Sequence, residues 1–156
     1  MSSLTEEKHD ALILDRSEIV QILTFSVGDK LFGMDVEQCR EIVKDKRITQ
    51  VPHSDSTVLG IVNLRGEVVT VLDLTKLLDY HETEQTLNSV LIRLKGAGQQ
   101  VSIQADTVFD VIDVKKSEFE PPPSNLTERE SRFISSVVVT HKGLAVILNP
   151  KELVRP

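Results

Sequence analysis

One cysteine, Cys39, leaves no partner for an intramolecular disulfide and too few thiolates for a structural zinc cluster. Tryptophan is absent, and one tyrosine and five phenylalanines offer few aromatic faces on which bases could stack. Positive charge is short as well. Lys and Arg number 18 against 24 Asp and Glu, a formal charge of -6, so a phosphate backbone finds no basic footprint. No apolar run approaches the roughly 20 residues of a membrane-spanning helix. Met1 is followed by polar Ser2, Ser3, Thr5, Glu6, Glu7 and Lys8 rather than by a basic and then apolar leader. These shortages argue against nucleic-acid binding, membrane insertion and a disulfide framework, and lead to the expectation of a cytoplasmic chain with no cofactor and no metal.

What is present is Val, Ile and Leu. A 40% apolar and 27% charged composition over 156 residues suits one folded unit. Residues 1–17 keep no period and are expected to form a flexible arm. From Glu18 onward the signal is strand-like: Leu23, Phe25 and Val27 alternate with Thr24 and Ser26, and Gly28-Asp29-Lys30 turns the chain into Phe32, Met34 and Val36. Asp35 with Gln38 resembles a capping box, and Val36, Cys39 and Val43 recur at helical spacing, which predicts a short helix over 36–44. Strands are expected at 48–51, 58–64 and 67–74, the last two joined by Arg65-Gly66, with Asp73 capping a helical turn. After a polar connector over 79–88, hairpin patterning resumes. Val90, Ile92 and Leu94 alternate with Leu91, Arg93 and Lys95, and further strands are expected at 101–105, 108–114, 134–140 and 144–148. Thr127 to Glu130 has capping-box spacing, and Asn149-Pro150 opens a last turn.

Arg65-Gly66-Glu67 leading to Asp73-Leu74 runs parallel to Lys142-Gly143-Leu144 leading to Asn149-Pro150. The spacing is 77 at the glycine and 76 at the cap, so an internal duplication with one indel is expected, dividing the chain into lobes of about 18–87 and 88–156 between which strands can exchange. Units of about 70 residues seldom build a sufficient core alone, so the lobes should share one.

Reactive chemistry is scarce. His9, His53, His81 and His141 are scattered, no phosphate loop or nucleophile motif occurs, and the aspartates sit mostly where they cap turns. No catalytic residue is assigned. Surface is what remains, and a β-rich body without reactive groups suits protein–protein interaction.

The run Gly60-Ile61-Val62-Asn63-Leu64-Arg65-Gly66-Glu67-Val68-Val69-Thr70-Val71-Leu72-Asp73-Leu74 resembles the signature of the CheW family of chemotaxis coupling proteins. The stretches 23–42, 101–114 and 143–154 are similar to other parts of the family pattern. The resemblance implies an all-β fold with short helices, in which two SH3-like five-stranded β-barrel lobes pack around a shared hydrophobic core. It also implies a non-catalytic adaptor, monomeric when isolated, that bridges the cytoplasmic tips of chemoreceptors to the regulatory domain of the histidine kinase CheA in membrane-associated arrays. Carried over residue by residue, it marks Val36, Cys39, Glu41, Gly60, Asn63, Leu64, Arg65 and Val111 as partner-binding positions. Cys39 departs from a usual aliphatic residue, Thr70 stands where the family usually has proline, and Ser135 and Ser136 replace small residues or glycine. These departures leave room for a module of a non-motility system or a detached kinase-regulatory module. From the residues alone, a small ligand-binding or hydrolytic β-barrel is a further class.

Overall fold

Branched apolar residues alternating with polar ones build ten strands in the computed structural model, which describes residues 18–44, 47–80, 89–96 and 98–154. The expected arm over 1–17 and the lobe boundary at 87/88 lie outside these residues. In chain order the strands are β1 (Ile19–Val27), β2 (Lys30–Asp35), β3 (Cys39–Lys44), β4 (Val58–Leu64), β5 (Glu67–Leu72), β6 (Val90–Leu94), β7 (Val101–Ala105), β8 (Thr107–Lys115), β9 (Ile134–Thr140) and β10 (Gly143–Leu148). Three short helices, α1 (Leu74–Leu77), α2 (Glu128–Phe133) and α3 (Pro150–Leu153), fill the corners. Two of them start where side chains cap them. Asp73 Oδ1 accepts from Thr75 and Lys76 backbone amides, and Thr127 exchanges reciprocal bonds with Glu130.

The strands form two five-stranded sheets with orders β8-β1-β2-β10-β9 and β3-β6-β7-β5-β4. Each mixes strands from both halves of the chain. The hairpin β1–β2 completes the sheet that holds β8, β9 and β10, and the hairpin β6–β7 completes the sheet that holds β3, β4 and β5. Each join is parallel, β2 to β10 and β7 to β5. Neither ladder order closes on itself, yet in each sheet one edge strand is tied by an antiparallel bridge to the segment that follows the other edge strand. Thr49 and Ile61 exchange two bonds of 2.8 Å beside β4, and Glu120 and Val137 exchange two of 2.9 Å beside β9. Each sheet thus curls into a five-stranded lobe of SH3-like kind.

Two expected elements come out differently. The helix over 36–44 shrinks to a 3-10 turn, Val36–Gln38, which Asp35 caps by accepting from the Glu37 amide at 2.9 Å. Cys39 and Glu41 therefore lie on strand β3, whose residues alternate in burial and pair with β6. The helical spacing of Val36, Cys39 and Val43 coexists with the period-two set Cys39, Glu41 and Val43, and cross-strand partners decide between them. The strand expected at 48–51 is reduced to the single Thr49 bridge. The glycine comparison also shifts. β4 and β9 begin and end 76 positions apart, as do β5 and β10, and α1 and α3. Gly143 therefore opens β10 where Glu67 opens β5, and no indel separates the two runs.

Three apolar clusters result. Ile22, Val114, Val138, Ala145 and Ile147 fill the first sheet, and Val62, Leu64, Val69, Val71 and Leu91 fill the second. The largest lies between the sheets and joins Phe25, Phe32 and Met34 to Ile92, Leu94 and Ile103. Tyr80 packs against this shared core while its hydroxyl donates to Glu130 Oε2 at 3.1 Å. Among the described residues no helix is long and apolar enough to cross a membrane.

Candidate functional site

The turn Arg65-Gly66 is a two-residue connection with Leu64 facing Glu67 across it. Both turn residues have positive φ, 53° and 81°, as a type I′ hairpin turn demands. Gly66 meets that demand without steric cost, and its amide donates to Asn63 Oδ1 at 3.1 Å, pinning the turn. Arg65 enters the left-handed region only because its surroundings hold it there. Its Nε donates to Glu41 Oε2 at 2.9 Å, although 78% of its side chain is exposed.

Glu41 is shared. Its other oxygen, Oε1, accepts from Arg93 Nη1 at 3.2 Å. Arg93 is fully buried and its Nη2 reaches Gln100 Oε1 at 2.7 Å and Glu67 Oε1 at 3.2 Å. Arg40 closes the group, lying 3.3 Å from Gln100 Oε1 and 3.5 Å from Glu67 Oε1. Three guanidinium groups thus share two carboxylates, leaving an excess of one positive charge at this mouth of an otherwise acidic protein.

The bond from Arg65, followed by that from Arg93, holds the Glu41 carboxyl below its ordinary 4.5. A depressed carboxyl stabilises the folded state above the unfolded value, and that contribution is lost as pH falls through the folded one. A carbon-13 titration of the Glu41 carboxyl should therefore give a midpoint below 4.5, and Arg65→Ala should raise it because the largest cause is removed. A midpoint unmoved by that substitution would show that Arg65 does not hold Glu41 in solution.

The other sequence-derived positions fall in three places. Val36 and Cys39 are half-buried against the shared core, and burial pushes the Cys39 thiol up from 9.0, which keeps it protonated near neutrality. Leu64 is buried in the second lobe's core, and Gly60 is buried against the Thr49 backbone, so both shape the hairpin from inside. Val111 lies on β8 in the other sheet, opposite Leu23 and exposed, in the register position that Ile42 holds on β3. The structure therefore gathers Glu41, Asn63 and Arg65 at one mouth, sets Val36 and Cys39 between the lobes, and leaves Val111 apart.

Arg93, Gln100, Glu67 and Arg40 escaped the sequence reading, which set Arg93 with Leu91 and Lys95 in alternation with Val90, Ile92 and Leu94 and gave it no role. β6 is buried on both faces: Ile92 and Leu94 meet the shared core, and Leu91 and Arg93 point into the second lobe. The available signal was one charge inside the apolar run Val90-Leu91-Ile92-Arg93-Leu94. Elsewhere, a groove of about 690 Å³ is lined by a mixture of apolar Val58, Leu72 and Phe133 and polar Asp55, Gln100 and Glu152. Its Glu152 is 3.4 Å from Arg132. Among the described residues no group of three or more His, Cys, Asp or Glu is arranged to hold a metal ion.

A profile of the CheW-like domain matches residues 21–156. The chain is 30% identical over 129 residues to a chemotaxis protein CheW of Bacillus subtilis, covering 83% of each. It is 29% identical over 142 residues to one of Treponema pallidum, covering 87% of this chain and 82% of the relative. Among solved structures, the scaffolding protein TtCheW of Thermoanaerobacter tengcongensis superposes with a TM-score of 0.77 at 30% identity, covering 86% of this chain and 91% of that one.

Proposed function

This chain belongs to the CheW family, and on that premise we propose that it is a non-catalytic adaptor coupling chemoreceptors to a CheA-type histidine kinase. It would bind the kinase's regulatory domain and the cytoplasmic tip of the receptors, and be recruited from the cytoplasm to receptor arrays. Two lobes on one apolar core suit that task, because an adaptor transmits a bias only if it holds both partners in fixed relation. Contact positions are Val36 and Cys39 between the lobes, Glu41, Asn63 and Arg65 at the mouth of the second lobe, and Val111 on the first. Gly60 and Leu64 act by shaping the hairpin.

The observation that carries the reading is Arg65. Its Nε is tied to Glu41, and among the described residues no bond occupies its Nη atoms, so a planar fork is held out to solvent beside surplus positive charge. Such a fork matches a carboxylate on a partner. In calorimetric titrations against kinase and receptor, Arg65→Ala should weaken one partner at least about tenfold, or ~1.4 kcal/mol. Thermal unfolding should barely move, since an exposed pair contributes about 0–1 kcal/mol. Unchanged affinity for both partners would remove Arg65 from the surface.

A further inference from the structure

We propose that Arg93 is a positioning residue of this surface: buried beneath it, it orients Glu41 and so holds the exposed Arg65 in its binding pose. The proposal rests on the reading of Arg65 as a partner contact.

Glu41 has two oxygens with separate duties, Oε1 receiving Arg93 and Oε2 receiving Arg65. A carboxylate that accepts on one oxygen only can rotate, whereas one gripped on both has a fixed plane. Arg93 cannot follow such a rotation, because its side chain is fully enclosed and its Nη2 is held by Gln100 and Glu67. Gln100 is anchored in turn, its carbonyl accepting from the Thr70 amide at 2.9 Å. A proline at position 70 could not make that bond. The chain of contacts runs from the parallel β5–β7 join, through Gln100 and Arg93, to Glu41 and the turn.

Arg93 is poorly explained as a stabilising group alone. Its Nε is buried without a hydrogen-bond partner, and a buried ion pair is seldom more stable than apolar packing of similar volume. Apolar residues surround it on the same inward face, including Leu91 on its own strand and Val69 and Val71 on β5. An apolar side chain would suit the site, yet a charge stands there, paired with Glu41 and Glu67. Those carboxylates retain 18% and 41% side-chain exposure, so they can turn outward if Arg93 is removed.

The test uses the full chain and a double-mutant cycle of Arg93→Met with Arg65→Ala, read by kinase or receptor affinity and by the Arg65 Nε–H resonance. In the unsubstituted protein this resonance should be ordered and slow to exchange with water. Arg93→Met should speed its exchange and weaken the partner about fivefold, while adding less than about twofold on top of Arg65→Ala, because its effect passes through Arg65. Arg93→Lys, which keeps the charge but not the fork, should fall between, and carries the test if the methionine variant does not fold. An equal loss of affinity in both Arg65 backgrounds, or an Arg65 resonance indifferent to position 93, overturns the proposal. Failure of the partner reading is separately visible, as an Arg65→Ala variant that binds normally.

Discussion

Phe25→Ala is expected to lower the unfolding free energy by about 3–5 kcal/mol, the range for emptying a buried aromatic position. Phe25 is fully enclosed, its ring stacked on Phe32 with centroids 5.9 Å apart and planes 22° from parallel. Both belong to the cluster between the sheets, together with Ile92 and Ile103 from the second sheet and Phe133 and Leu148 from the first sheet's side. Truncation opens a void where the lobes meet, and neither sheet can fill it without breaking its own ladder. Domains of this size are stable by only about 5–15 kcal/mol, so the variant should be near its threshold at physiological temperature. Urea unfolding, followed by far-ultraviolet circular dichroism and by fluorescence of the single tyrosine, Tyr80, should show one coincident transition moved to lower urea. Val139→Ala, at a side chain 74% exposed, should shift it by less than about 0.5 kcal/mol. A Phe25→Ala loss below about 1 kcal/mol, or separate transitions for the two probes, would mean that the lobes do not share a core.

That core was legible in part. Short lobes forecast a shared interface, and β9, the α1 and α3 turns and the capped start of α2 follow from patterns that local chemistry decides. What sequence could not decide was which of two periods rules the residues after Asp35. Val36, Cys39 and Val43 fit a helix, but Cys39, Glu41 and Val43 face Leu94, Arg93 and Leu91 across the ladder, and only the fold supplies those partners. Misplacing Glu41 on a helix also hid its neighbours. The ion network depends on β6 being enclosed on both sides, a consequence of the exchanged hairpins that no local window contains. The signature turn was read correctly as a hairpin carrying Arg65. Its anchoring was invisible because Glu41 lies 24 residues from Arg65 and 52 from Arg93, on different strands.

Gly60→Ala should be strongly damaging to the signature hairpin, costing about 3 kcal/mol, the upper part of the range for forcing atoms into filled space. A Cβ at position 60 would strike the Thr49 carbonyl oxygen and approach Ile48 Cγ2 to 2.8 Å, with the backbone at a φ of 155°. Backbone is the obstacle, so no side-chain rotation relieves it. At Gly33, by contrast, an added Cβ would press on side-chain atoms, Ile22 Cγ2 at 2.7 Å and Ile147 Cδ1 at 2.9 Å, and come no closer than 3.6 Å to backbone. Thr49 is also half of the bridge to Ile61 that ties β4 to the chain leaving β3. Pushing it away breaks two hydrogen bonds, each contributing about 0.5–1.5 kcal/mol, and opens the second lobe along its seam. Hydrogen exchange at the Thr49 and Ile61 amides should accelerate strongly in the variant, while Glu120 and Val137 in the other lobe keep their protection. Partner affinity should fall with the seam, because β3 carries Glu41 and β4 leads into the Arg65 turn, so the bond between them depends on the two strands staying together. Unchanged protection at Thr49 and Ile61 would show that the bridge does not close the lobe. Glycine at this position would then need a different explanation, such as a partner pressed directly against the backbone.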